Sequence, residues 1–212
     1  NINLRELHDN IYPEVTGSES PAVTVTFIVE SNVIVGSTST AKPACDVGEW
    51  PMGFVPNLIV RGRIQGKGGR GGTFPVTFAS GEDGGAALYT RHAIFLDASQ
   101  GQIWGGGGGG GAAGGASVGV LACGGGGAGQ LPGEAGGEGS AIAGQPGTTE
   151  AGGAGFDGGR SVGGKGGDPG EAGETVPNTL GAVGGAAGAA IDGDSFVTLG
   201  SPEGDIRGPR IN

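Results

Sequence analysis

Apolar and polar positions alternate over residues 23–29, putting Val23, Val25, Phe27 and Val29 on one face, the pattern of a half-buried strand. Upstream, Asn3 stands in a capping position ahead of Leu4, Leu7 and Ile11, which predicts a short helix or ordered lead-in over 3–11. Downstream a unit recurs: an apolar strand, a polar turn, then isoleucine, one variable residue and glycine. It occurs as Ile34-Val35-Gly36, as Leu58-Ile59-Val60 leading to Ile64-Gln65-Gly66, as Ile94-Phe95-Leu96 leading to Ile103-Trp104-Gly105, and as Phe196-Val197-Thr198-Leu199 leading to Ile206-Arg207-Gly208. Such repetition predicts rungs of a small β base. The second and third copies each launch a run of glycines, and the fourth returns the chain to the base and ties down its C-terminus.

Between the rungs, apolar residues are sparse and glycine takes over. Fifty-four of 212 residues are glycine, and many keep a spacing of three, as in Gly66/Gly69/Gly72, Gly105/Gly108/Gly111/Gly114, Gly152/Gly155/Gly158 and Gly164/Gly167/Gly170/Gly173. Three is the period of a polyproline II helix, which makes no hydrogen bonds of its own and must pair sideways. Collagen is excluded because the frame slips, at Ala112-Ala113 and across Gly184-Gly185-Ala186-Ala187-Gly188. The fold class predicted is therefore mainly irregular and β: a glycine-rich bundle, or sandwich, of short polyproline II helices on a small β base. Its parts are a β-rich base with the lead-in over 1–65, the bundle over 66–190 interrupted by a strand region at 86–104, and closing strands over 191–212.

Composition narrows the function. At 35% apolar and 5% aromatic, the chain is short of material for a conventional core, so backbone pairing must carry more of the stability. A net charge of −10 disfavours nucleic acid and anionic membranes as partners, and no apolar stretch reaches the roughly 20 residues of a membrane span. The chain starts at Asn1 with neither an initiator methionine nor a secretion signal, so it is expected to be a piece of something longer. Cys45 and Cys123 are too few for a disulfide framework or a zinc site and read as small unpaired buried residues.

Motifs that imitate chemistry fail on inspection. Gly115-Ala116-Ser117-Val118-Gly119 resembles a hydrolase elbow, but His8 and His92 both precede Ser117, whereas that fold needs a later histidine. The stretch 159–165 imitates a phosphate-binding loop, yet Gly166 follows Lys165 where a magnesium-binding hydroxyl belongs. Asp192-Gly193-Asp194 reads as a turn rather than a calcium site. No nucleophile, base or cofactor site can be assembled, so a non-enzyme without cofactor or metal is expected.

What remains is recognition. Inserts of differing character separate the glycine runs, at 73–80, 117–122, 130–132, 148–150, 156–157 and 175–180, and segments that double back must carry them at the two ends of the bundle. Variable loops on a rigid scaffold are the usual design of a binding module. The candidate contact residues are Phe74, Pro75, Phe78, Val118, Leu121, Phe156, Thr175, Val176 and Leu180.

Two stretches carry a family resemblance. Residues 66–72, a following loop, Gly84-Gly85, an apolar strand and Gly101-Gln102-Ile103-Trp104-Gly105 through Gly111 resemble the glycine-rich region of the distal long-tail-fibre adhesins of T-even-like bacteriophages. The flanks, 23–40 and 190–208, are similar to the receptor-binding part of the tail-tip host-specificity proteins of lambda-like phages. The resemblance implies a virion protein of the phage tail whose tip loops bind an outer-membrane protein or lipopolysaccharide of the bacterium. It also implies attachment to the rest of the tail tip or fibre and allows three copies per virion tip. The chain departs from the adhesins in lacking their larger N-terminal fibre-binding domain. Two other readings are an ice-binding protein, whose flat face would gain nothing from Trp50, Phe74, Phe78 or Phe156, and a plain structural spacer.

Overall fold

A computed structural model describes residues 1–16, 23–73, 80–114, 121–137, 140–159, 161–177 and 182–212. The strands fall into rungs. The first holds β1 (Ile2–Asn3), β2 (Thr26–Val29) and β3 (Ile34–Gly36). The second holds β4 (Cys45–Asp46), β5 (Asn57–Val60) and β6 (Arg63–Gln65), and the third β7 (Leu88–Tyr89), β8 (Ile94–Asp97) and β9 (Gln102–Trp104). After an antiparallel pair, β10 (Ala113–Gly114) and β11 (Leu121–Ala122), the fourth rung holds β12 (Ile191–Asp192), β13 (Val197–Leu199) and β14 (Asp205–Arg207), and β15 (Arg210–Ile211) starts a fifth.

Corresponding strands of successive rungs pair in parallel, giving three sheets ordered β1-β4-β7-β12-β15, β2-β5-β8-β13 and β3-β6-β9-β14. The chain thus winds as a three-sided solenoid. Like residues stack through it: Val35, Ile64, Ile103 and Ile206 form one interior column, and Phe27, Leu58, Leu96 and Leu199 another. Leu58, Ile64, Leu96 and Ile103 are fully buried, and this shared core is what a lone rung could not provide.

The register corrects one detail of the repeat. In the first copy it is Val35, not Ile34, that aligns with Ile64, so Gly36 lies beside Gln65 and Ile34 faces outward. The predicted helix is present as α1 (Leu4–Asp9), and the Asn3 side chain accepts the Glu6 N–H at 3.1 Å. Its buried face is Leu4 and His8, four residues apart, while Leu7 and Ile11 stand exposed.

The glycine-rich stretches leave the solenoid at a single corner, between the third and first sheets. That corner spans 37–44 after β3, widens to 66–87 after β6 and to 105–190 after β9, and shrinks to Gly208-Pro209 before β15. The expected polyproline II bundle is corrected here. Among the described residues the regular elements are strands, in three parallel sheets and one antiparallel pair, with almost no helix, and only the mainly β part of the expectation stands. The physical reason is that a period of three in glycine marks which faces of a segment must be bare, and does not by itself specify the segment's helical state.

Ten extended segments, at 66–73, 80–85, 105–112, 123–129, 133–137, 143–147, 152–156, 163–167, 172–176 and 182–189, make up this glycine array among the described residues. The run 105–112 bonds to six others: Gly69 and Gly185 N–H donate to Gly107 and Gly109 O, Gly167 N–H to Gly108 O, and Gly107, Gly109 and Gly111 N–H to Ala128, Glu82 and Glu174 O. A Cβ at any position from Gly105 to Gly111 would come closer than 3.0 Å to a backbone atom. Peripheral segments have open sides, and there alanine and charged residues return. Their outward amides find acceptors in side chains: Asp83 Oδ1 takes Ala186 N–H at 2.7 Å, Glu174 Oε2 takes Lys165 N–H at 3.0 Å, and Asp168 Oδ1 takes Gly152 N–H at 2.9 Å. Three acidic side chains of the array thus satisfy backbone donors.

Candidate functional site

Hydrogen-bond partners sort the turns of the array between two ends. At the base, Gly66 N–H donates to Trp104 O, Gly105 N–H to Arg207 O and Gln130 N–H to Gly66 O, so the turns at 130–132, 148–151 and 168–171 lie against the solenoid. At the opposite end, Gly72 N–H donates to Gly110 O, Gly124 N–H to Gly72 O, Gly136 N–H to Gly124 O, Phe156 N–H to Cys123 O, Gly164 N–H to Gly111 O and Gly111 N–H to Glu174 O. The described residues that flank 74–79, 115–120, 138–139, 160 and 178–181 therefore share one far end. Six residue steps from Gly105 to Gly111 put that end at most about 20 Å from the base.

Of the candidate contact residues, Phe74, Pro75, Phe78, Val118 and Leu180 lie outside the described residues. The described remainder come together at the far end. Leu121 is half-buried in β11, opposite Gly114 of β10. Phe156 is half-buried, with its backbone bonded to Cys123 and Gly163. Thr175 is exposed, its Oγ1 accepting Gly184 N–H at 3.1 Å, and half-buried Val176 follows it. The inserts at 130–132 and 148–150 lie at the base, away from this group.

Sequence reasoning overlooked Val162 and Val183, both about half exposed at the far end. Each directly borders a glycine segment, the one signal that could have singled them out. Local turns brace the loops: Asp157 Oδ1 accepts Gly159 N–H at 2.8 Å, Gly159 adopts a φ of 74°, and Val162 bridges back to Asp157. Ser80 Oγ accepts Val183 N–H at 3.4 Å, tying the flanks of two different loops.

A joint at the base orients the array. Trp104 is buried on the outer side of the third sheet with the Arg63 guanidinium 3.8 Å from its ring centre and that of Arg207 4.0 Å from it. Arg63 also bonds Glu150 Oε1 at 2.6 Å, and Gln65 Nε2 donates to Thr149 O at 2.7 Å, so the 148–151 turn is locked over the tryptophan. Gly36, in register with Gln65, has no room for a Cβ because the Gln130 side chain packs on it.

Of the residues considered for chemistry, Ser117 lies outside the described residues, and others have structural partners. His92 Nε2 lies 2.6 Å from Phe54 O, Lys165 pairs with Asp168 at 2.8 Å, and Asp192 and Asp194 pair with Arg91 and Arg210 at 2.8 and 2.7 Å. The hydrogen bond from Lys165, helped by the Gly152 amide, holds the Asp168 carboxyl below the usual range. Burial pushes the Cys45 thiol up to about 12, and both cysteines are unpaired and buried. Among the described residues, no three His, Cys, Asp or Glu side chains gather to hold a metal, and no helix is long and apolar enough to cross a membrane.

A family model described as phage tail fibre adhesin Gp38 matches residues 1–211. The chain belongs to that family. The match runs through both flanks as well as the glycine array, and it places this adhesin in the virion tail with a receptor-binding function. A solved structure it resembles is the gp37–gp38 adhesin tip complex of the bacteriophage S16 long tail fibre, at 26% identity and a TM-score of 0.63, covering 87% of this chain and 70% of that one. No curated protein matches. Nothing in these likenesses favours the ice-binding alternative.

Proposed function

We propose that the adhesin binds an outer-membrane protein or lipopolysaccharide of the host bacterium through the loops at the far end of the glycine array, and that it acts by binding alone, without catalysis. The observation that carries this reading is the gathering of the described flanks of five inserts at one end of an array whose backbone is too crowded to vary. In such a design specificity comes from the loops, and the array holds them in place at little conformational cost on binding. The partner at the other end is the rest of the fibre, as the gp37–gp38 complex of the similar structure suggests.

Replacing 73–80 and 175–180 separately by Gly/Ser linkers of equal length tests it. At least one replacement should abolish adsorption of the purified adhesin to host cells while the melting temperature stays put. Adsorption that survives both replacements with stability intact would move the site away from these loops.

A further inference from the structure

An outward N–H on the rim of the glycine array can bond another extended chain, as the unpaired edge of a sheet can. Several rim segments carry charge at exposed positions: Arg70 in 66–73, Glu82 and Asp83 in 80–85, Glu134 in 133–137, Lys165 in 163–167 and Glu174 in 172–176. Segment 182–189 has no charged residue, and its exposed positions are Val183 and Ala186. No long or charged side chain of its own keeps a second backbone away.

Its amides are covered instead. Gly185 and Gly188 N–H donate inward, to Gly109 and Gly106 O of the central run. Three others are taken by side chains of the two segments alongside: Ser80 Oγ accepts Val183 N–H at 3.4 Å, Asp83 Oδ1 accepts Ala186 N–H at 2.7 Å, and Thr175 Oγ1 accepts Gly184 N–H at 3.1 Å. Ser80 and Asp83 are three residues apart, as are Val183 and Ala186, so the spacing of the acceptors matches that of the donors. The backbone keeps the same register, with Gly81 and Gly84 N–H donating to Val183 and Ala186 O. Residues 80–84 thus supply a backbone donor to each of these carbonyls and a side-chain acceptor to each amide. The uncharged rim segment 143–147 is closed differently: Gly144, Gln145 and Gly147 N–H donate to Gly136, Ala154 and Gly133 O, and Pro146 has no N–H to offer.

We propose that Ser80 and Asp83 are a stop: by standing in for the carbonyls of a further segment they end the array at 182–189, and without them this edge would bond an extended glycine-rich segment of a second copy of this chain. The occupant follows from the array itself. Gly185 and Gly188 of the same segment already bond carbonyls of the glycine run 105–112, so the backbone that fits this edge is one the chain carries. The stop keeps neighbouring adhesins from joining side by side, and it does so whatever the far-end loops bind.

Sedimentation of the purified adhesin over a range of concentrations tests it. Ser80→Gly with Asp83→Gly should raise the self-association constant by about 10-fold or more over wild type, since two freed amides each gain a partner. Ala186→Lys added to that pair should reverse the gain. Asp83→Asn keeps an oxygen acceptor and drops the charge, so it should sediment as wild type does. A glycine pair that stays folded and associates no more than wild type overturns the proposal. So does association that Ala186→Lys leaves in place, or that Asp83→Asn matches, which would assign the effect to charge alone. If the glycine pair unfolds, Asp83→Ala with Ser80 retained decides: a gain of about 3-fold or more supports the stop, and an unchanged constant refutes it.

Discussion

Gly108→Ala puts one methyl group at the centre of the glycine array. The new Cβ would overlap Gly185 O and Ala186 O, so segments 105–112 and 182–189 must separate. Overpacking a close-packed interior costs about 1–3 kcal/mol. Separation also strains the bonds from Gly185 N–H to Gly109 O and from Gly188 N–H to Gly106 O, each contributing about 1 kcal/mol. Against this, alanine reduces the entropy of the unfolded chain by about 0.4–1 kcal/mol. The balance is a loss of about 3 kcal/mol, or a melting temperature lower by about 6–12 °C for a chain of this length. Gly200→Ala is the matched control, since its Cβ would meet nothing nearer than 3.5 Å and the substitution should be neutral or slightly stabilising. Thermal unfolding followed by circular dichroism compares the two. Equal melting temperatures would refute the view that this run is glycine because every face of it is occupied by backbone.

The joint should respond to charge: Glu150→Gln removes the ion pair with Arg63 but keeps the turn, lowering stability by at most about 1 kcal/mol, whereas Trp104→Ala empties a buried site and should cost about 3–5 kcal/mol by denaturant titration. Asp168 has a lower pKa in the folded than in the unfolded chain, so its contribution is full above pH about 4 and fades as pH falls through the folded value. Asp168→Asn should flatten the acid limb of a melting-temperature profile, and an unchanged limb would refute this. With its thiol pushed up to about 12 and fully buried, Cys45 should resist iodoacetamide at pH 8 until denaturant is added, as read by mass spectrometry.

How much of this was legible depended on the length scale of each signal. The isoleucine column showed in the sequence because Ile64, Ile103 and Ile206 repeat with a preceding apolar strand, and the structure stacks them in register. The first sheet did not show, because strands of two residues such as Cys45–Asp46 and Leu88–Tyr89 are too short for any periodicity. Glycine spacing pointed to lateral backbone pairing but was over-read as a particular helix. The unbroken run Gly105 to Gly111 and the looser Gly-x-x spacing elsewhere differ in how many sides of the segment are occupied, which is a property of neighbours. For the same reason the loops of the far end could be named from sequence but not grouped there. The stacking of Arg63 and Arg207 on Trp104 joins residues from three different rungs, far apart in the chain, and had no local trace.

The single corner from which the glycine array departs has a mechanical consequence. On the proposed reading, in which the far-end loops hold the cell, the pull runs along the segments, while the hydrogen bonds between them run across it. Traction on a far-end loop therefore loads whole rows of bonds in shear, together, instead of peeling them apart one at a time. The two segments nearest the solenoid core, 66–73 and 105–112, continue directly from β6 and β9, so the load passes along the main chain into two rungs of the parallel stack.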